Sequence, residues 1–324
     1  MKALVTGAAG FIGSALSERL LADGHDVVGV DNLTEYYAAA LKRDNLARLR
    51  SERFELVEAD LNDLDLPALL SDIEVVFHQA GQPGVRGSWG AGFAPYVARN
   101  IVATQALLEA ARSAPRLTRL VAASSSSVYG DAESYPTHET DRPQPVSPYG
   151  VTKLAAENLT TLYGRNFGVP TTSLRYFTVY GPRQRPDMAF TRFSRAAARG
   201  DTIRVFGNGE QVRDFTFIDD IVEANMLAAT VQHDAGSVFN IAGGSQVSVN
   251  EVLETLAEIA GREVRVERMG AAAGDVSRTS GSTARVEEAL GWTAKTALES
   301  GLRAQYEWVA GALSSLDRAG IDWS

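Results

Sequence analysis

Cysteine is absent from the 324 residues, which excludes disulfides, thiol nucleophiles and cysteine-ligated metals. Histidine is scarce: the four present are scattered and none stands at metal-ligand spacing, so no catalytic metal is expected. Basic residues are outnumbered, 31 Lys and Arg against 40 Asp and Glu, and the formal net charge of −9 comes without a basic stripe. That argues against nucleic acid and against an anionic membrane surface as partners, and an anionic substrate would need locally placed arginines. There is no apolar run of ~18 residues or more, and no signal peptide is recognisable. The expectation is a cytoplasmic protein. Internal repeats and low-complexity tracts are also missing, and the Ala271–Ala273 patch reads as loop. What remains is a chain with 45% hydrophobic residues, ample for a core in one large or two smaller domains.

Short apolar strands alternate with helical stretches, the strands falling near Lys2–Thr6, Asp26–Asp31, Phe54–Glu58, Val75–His78, Leu120–Ser124 and Pro170–Leu174. This alternation predicts an α/β fold, a doubly wound parallel Rossmann sheet. The first strand runs into Gly7-Ala-Ala-Gly10-Phe11-Ile12-Gly13 and a helix to about Asp23. Gly7 permits a tight turn, Gly10 lets backbone N–H groups approach a pyrophosphate, and Gly13 lets helix and strand pack closely. The second strand ends in Asp31, placed to bond an adenosine ribose hydroxyl, and Asn32 stands where an arginine would suit a 2′-phosphate. NAD is therefore expected rather than NADP. Asp60 is placed to meet the adenine ring, the His78-Gln79-Ala80-Gly81 segment ends the fourth strand near the nicotinamide ribose, and Asn100 sits in a long helix that can reach the site from below. After Arg175 the pattern loosens into a Gly/Pro/Arg-rich segment and then short strands and helices, read as a smaller C-terminal α/β lobe for substrate. The expected division is 1–178, with 214–240 returning to it, against 179–213 and 241–324.

Tyr149 and Lys153 stand four apart in Ser147-Pro148-Tyr149-Gly150-Val151-Thr152-Lys153, so phenol and ammonium share a helical face. Ser147 suits an N-cap and Pro148 the first helical position, which puts Tyr149 in the first turn where the helix dipole favours negative charge. Drawing a phenol from near ~10 to about 7 takes roughly 4 kcal/mol, and a neighbouring cation with a helix terminus can supply much of it. The pair can thus make a catalytic base.

In order along nearly the whole chain, Gly7/Gly10/Gly13, the Ser125-Ser126-Ser127-Val-Tyr-Gly130 block, Tyr149/Lys153 and Arg213-Asp-Phe-Thr-Phe-Ile-Asp-Asp220 resemble the extended short-chain dehydrogenases/reductases, in their sugar-nucleotide epimerase and dehydratase branch. Within that branch, Asp31-Asn-Leu-Thr-Glu-Tyr-Tyr37, Leu41-Lys-Arg43 and Arg175-Tyr-Phe-Thr-Val-Tyr-Gly-Pro182 with Arg185-Pro-Asp-Met-Ala189 are most similar to UDP-glucuronate 4-epimerases. The resemblance implies Tyr149 as base, Lys153 as its partner and Ser125 as proton relay. It implies NAD contacts from Gly7, Gly10, Phe11, Ile12, Gly13, Asp31, Asn32, Lys42, Asp60, Leu61, Gln79, Ala80, Asn100, Tyr149, Lys153 and Tyr176. For a UDP-sugar it implies Arg86, Ser125, Ser126, Ser127, Tyr149, Thr178, Arg185, Arg213 and Asp275. Dehydratases and decarboxylases of the branch carry acids in the serine block where Ser126 and Ser127 stand here, so elimination of water and loss of CO2 lack their acid. UDP-glucose 4-epimerases usually have Asn at the place of Thr178. A second arginine common before the Gly274-Asp275 pair is replaced by Ala271–Ala273, leaving Arg213 or Arg268 to compensate. A non-catalytic NAD-binding regulator is the reading from another class, disfavoured because Ser125, Tyr149 and Lys153 are all present. The likeness further implies a homodimer through the helix around Asn100–Arg112 and the one starting at Tyr149.

Overall fold

Apolar runs at 3–5, 27–30 and 75–77 form strands that must be covered on both sides, and they lie inside one seven-stranded parallel sheet whose edge strand Phe54–Glu58 is largely exposed. The computed structural model describes residues 1–270 and 274–318, so the loop expected at Ala271–Ala273 lies outside the described residues. In chain order the elements are β1 (Lys2–Thr6), α1 (Phe11–Ala22), β2 (Asp26–Asp31), α2 (Ala39–Ala47), β3 (Phe54–Glu58), α3 (Leu66–Leu69), β4 (Val75–His78), α4 (Phe93–Tyr96), α5 (Ala103–Ala111), β5 (Arg119–Ser125), α6 (Pro148–Phe167) and β6 (Thr171–Tyr176). They continue with β7 (Thr178–Tyr180), α7 (Ala189–Arg199), β8 (Ile203–Phe206), β9 (Val212–Phe217), α8 (Ile218–Thr230), β10 (Ser237–Ile241), β11 (Ser245–Ser248), α9 (Val249–Ala260), β12 (Val266–Met269), α10 (Ala284–Leu290) and α11 (Leu298–Arg318). The long helix expected around Asn100 is interrupted, because a π-helical stretch at Val97–Val102 separates α4 from α5.

The large sheet has the order β3-β2-β1-β4-β5-β6-β10, all parallel, as the alternation of strands and helices predicts. One face packs against α1 and α8 through Leu16, Leu20, Ile221 and Ala224, the other against α3, α5 and α6 through Leu70, Leu107, Leu108 and Tyr163. Strand order reverses between β1 and β4, and the crevice at the C-terminal ends there is where such sheets bind ligands. The chain leaves this sheet after Tyr176 and re-enters it at Ser237, whose strand pairs with β6. In between come β7, β8 and β9, of which β7 and β9 pair in parallel; after β10 the chain adds β11, which closes a three-stranded sheet antiparallel to β9, and β12, which forms a separate parallel pair with β8.

Caps fix the helix starts that matter. Ser147 Oγ accepts from the Gly150 N–H at 3.1 Å with Pro148 in the first position of α6, as its sequence predicts, and Gly168 ends the helix at φ 69°. The C-terminal segment is fastened by Asp220, 5% exposed, in the first turn of α8: its carboxylate accepts from the Lys295 and Thr296 N–H groups at 3.0 and 3.1 Å. Its carbonyl accepts from the indole of the fully buried Trp292 at 2.9 Å. Among the described residues no helix is long and apolar enough to cross a membrane. Replacing Asp220 by Ala leaves two inward N–H groups unpaired, and we expect a loss of about 2–3 kcal/mol in urea denaturation; an unchanged midpoint would show that the 292–296 segment is held by Trp292 alone.

Candidate active site

The cleft opens at the β1/β4 crossover. Gly7, at φ 71°, turns the chain out of β1, and the Gly10 N–H returns to the Gly7 carbonyl at 3.0 Å. Gly10 is the N-cap of α1 and makes no side-chain bond, so the first-turn N–H groups of that helix face the cleft without a side-chain acceptor. A Cβ on Gly13 would lie 2.1 Å from the Gly7 oxygen, which is why only glycine seats the helix there. Asp31 closes the turn from the other side, accepting from the Ala9 N–H at 3.1 Å and the Leu33 N–H at 2.8 Å, with Lys42 Nζ at 3.9 Å. Asp60 accepts from Asn32 Nδ2 at 2.8 Å, so the ends of β2 and β3 share one polar rim.

Every residue expected to contact the dinucleotide lines this single cleft, from Gly7 to Tyr176. Two carry more structure than their sequence revealed. Asn100, on the π-helical stretch, donates to the Gln82 carbonyl at 3.1 Å and to Thr152 Oγ1 at 3.0 Å, and accepts from the Gln82 N–H at 2.6 Å, tying the loop after β4 to α6. Tyr176 bonds Gln79 Oε1 and Asn225 Oδ1 at 3.2 and 3.0 Å, and burial pushes its phenol up to about 12. His78 is set apart: it is buried between Thr6 and Thr104 hydroxyls at 2.8 and 2.9 Å, and burial pulls its imidazole down to about 3, so it stays neutral. Also in the wall, without any expectation attached to them, are Thr34, Gln82 and Arg99; Arg99 bonds Gln82 Oε1 at 2.5 Å. Tyr36 and Tyr37, in the motif that carried the subfamily likeness, stand there too.

Tyr149 and Lys153 enter the cleft together from α6, the Tyr149 ring edge-on to Tyr96 at 6.2 Å. The direction of the Tyr149 shift differs from the one read in sequence. Burial raises the phenol above its ordinary value, and the Ser125 hydroxyl and the Arg185 charge offset this only in part. The reason is desolvation of both partners: Lys153, bonded to the Ala123 carbonyl, is itself pulled down to about 8 by burial, with Glu157 opposing. Arg185 lines the same cleft, but its fork is bidentate to Asp187 at 2.9 and 3.0 Å rather than open. Its charge is held against burial by that carboxylate. Ser125 caps the turn at Ser126–Val128 by accepting from the Ser127 N–H at 3.1 Å, and all three serines are half-buried.

Thr178, Arg86, Arg213 and Asp275, like Ser125, Ser126 and Ser127, are not among the residues that line this cleft. Thr178 opens β7 opposite Phe215. Arg86 pairs with Asp275 at 3.2 Å and stacks on the Phe206 ring at 3.9 Å, while Arg213, lowered by burial against the pull of Asp275, donates to the Val212 carbonyl at 2.9 Å. Arg86, Asp275 and Arg213 are thus one group. Arg268 bonds Asn250 at 2.7 Å on the exposed rim. Among the described residues no cluster of His, Asp or Glu is arranged to hold a metal ion.

Residues 3–242 match the NAD dependent epimerase/dehydratase family. An uncharacterized UDP-glucose epimerase of Bacillus subtilis is 43% identical over 93% of this chain and 96% of its own length. A probable UDP-glucuronate 4-epimerase of Rhizobium meliloti is 38% identical over 95% of the chain and 96% of its own. The crystal structure of UDP-glucuronic acid 4-epimerase from Bacillus cereus, in complex with UDP-glucuronic acid and NAD, superposes with a TM-score of 0.92 at 41% identity, covering 96% of this chain and 99% of that one. From the contact at Gly13, Gly13→Ala is expected to weaken folding by roughly 1–3 kcal/mol through overpacking and to abolish calorimetric binding of NAD; a variant that binds as the parent does would show that the turn has room to yield.

Proposed function

The chain belongs to the NAD dependent epimerase/dehydratase family, and from that premise we propose that it is an NAD-dependent UDP-sugar 4-epimerase acting on UDP-glucuronate and giving UDP-galacturonate through a transient 4-keto sugar. The observation that carries the reading is that Tyr149, Lys153 four residues on, and Arg185 stand together in the wall of one dinucleotide cleft, the Ser125 hydroxyl and the Arg185 charge opposing the burial of the phenol.

The residues present fit NAD: an uncapped helix start over a glycine turn suits a pyrophosphate, and the Asp31 carboxylate at the end of β2 suits ribose hydroxyls. Lys153 would hold the nicotinamide ribose. NAD, when bound, supplies the hydride acceptor for C4 and the donor for its return. Tyr149 takes the proton of the sugar 4-OH, with Ser125 bonded to O4 and relaying it, and gives the proton back when the ketose has presented its other face. Because burial holds the Tyr149 phenol high, its ionisation depends on what opposes that burial, the Ser125 hydroxyl first and then the Arg185 charge, with Lys153 in the same wall. The cycle has no net redox change.

A 4-keto glucuronate is a β-keto acid, and an epimerase must keep its carboxylate from aligning for loss of CO2. Ser126, Ser127 and Thr178 offer hydroxyl donors, and Arg185 adds charge from its pairing with Asp187. Arg213, Arg86 and Asp275 would take the UDP portion. UDP-glucose 4-epimerisation is the second reading, favoured by the Arg185 fork being already engaged. The proposal extends to a cytoplasmic homodimer, supported by Val102 beside α5 and Val151, Leu162 and Phe167 on α6, all large, apolar and 48–55% exposed.

Incubated with UDP-glucuronate and followed by proton NMR, the protein should give a galacturonate anomeric signal without CO2 or pentose and change UDP-glucose little. Tyr149→Phe should lower turnover by about 100-fold or more. Conversion of UDP-glucose alone would move the substrate to the second reading, and full activity of Tyr149→Phe would remove the base. Light scattering should give twice the 34.7 kDa chain mass, and a monomer would overturn the dimer.

A further inference from the structure

One turn beyond Lys153 on the same face of α6 lies Glu157, only 4% exposed. Two consecutive residues of β5 grip two positions of α6: the Ala123 carbonyl takes the Lys153 amine, and Ser124 Oγ donates to Glu157 Oε2 at 2.6 Å. Arg175, on β6, closes the other side of Glu157 with a fork at 2.7 and 2.9 Å and donates onward to the Tyr129 hydroxyl. Lys153 and Glu157 also share a small internal cavity with His78, Thr104 and Ser173. A carboxylate that is buried and fully bonded costs desolvation, so its place beneath a recessed amine calls for a reason beyond packing.

We propose that Glu157 is a positioning residue, a fixed buried anion that keeps the Lys153 amine cationic against the Ala123 carbonyl and so keeps Tyr149 able to act as base. The inference rests on the proposed function for its catalytic consequence; its electrostatic part rests on the i,i+4 spacing, on the cavity that Lys153 and Glu157 share, and on the pull of the Glu157 charge against burial of the amine. The groups facing Lys153 are Tyr149 and Glu157 from α6, His78 from β4, and Arg175 and Tyr176 from β6. His78 is neutral at working pH, and Arg175 reaches the amine only through Glu157. Burial drags the amine down to about 8, and the Glu157 charge is what opposes it. Removing that charge therefore lowers the amine further, moving loss of its proton into the neutral range.

The chain has four lysines, Lys2, Lys42, Lys153 and Lys295, so protein labelled at the lysine ε-carbon gives four 13C NMR titrations, with Lys153 assigned by Lys153→Met. Glu157→Gln should lower the Lys153 midpoint by about one unit, a tenfold loss of the charged form above it, and move the alkaline limb of kcat down equally with KM almost unchanged. Glu157→Asp should restore both. Because Glu157→Gln leaves Arg175 unpaired and can weaken folding, the double variant Glu157→Gln/Arg175→Met removes both charges; it should regain the unfolding midpoint while Lys153 stays low. An unmoved Lys153 titration in both variants, with only stability affected, would overturn the proposal. The NMR readout needs no turnover, so a protein inactive on every UDP-sugar would sink the proposed reaction and leave the electrostatic role of Glu157 standing.

Discussion

The docking of α6 along β5 sets everything else in the site. The Ala123 carbonyl takes Lys153 and the Ser124 hydroxyl takes Glu157, four residues further along the same helical face, so two contacts register the helix on the strand. The Ser147 cap and Pro148 fix where the helix begins and hence which residues fall on the strand. A shift of one residue would turn the face by about 100° and present Gly150 and Leu154 instead. Asn100 holds the same helix through Thr152, so the loop after β4 and the phenol are referred to one rigid element.

Much of this was legible in the sequence, for reasons that can be named. The glycine turn, Asp31 and the six strands to Tyr176 are local patterns: backbone freedom, a strand end, and short runs of apolar or β-branched residues. The seventh strand was harder, because β10 joins β6 only after about sixty residues spent in other sheets, and nothing in Ser237–Ile241 states its partner. Side-chain networks were not legible at all. That Gln79, Asn225 and Tyr176 meet, or that Arg99 reaches Gln82, depends on tertiary approach across unrelated segments.

The direction of the Tyr149 shift shows the limit most plainly. Spacing put a cation and a helix terminus beside the phenol, both of which favour ionisation, but spacing cannot weigh desolvation. In the folded protein desolvation is the larger effect for Tyr149 and Lys153 alike. A recessed phenol and amine that each resist charge are better suited to exchanging a proton within the cleft than to holding an anion permanently, which agrees with a cycle that must run in both directions.

The segment from Arg183 to Asp187 carries the remaining argument. Arg183, at φ 71°, pairs with Glu18 of α1 at 2.7 Å, and Asp187 accepts from the Tyr36 hydroxyl at the loop after β2 while engaging the Arg185 fork. The loop that would face a sugar carboxylate is thus fastened to the same two elements that frame the dinucleotide turn. Arg185 reaches Tyr149 by charge without spending its hydrogen bonds there. In the proposed reading, substrate acidity would then be sensed through a field set by the Arg185–Asp187 pair rather than by a dedicated fork, and hydroxyl donors at Ser126, Ser127 and Thr178 would be the groups on which discrimination between a 6-carboxylate and a 6-hydroxyl depends.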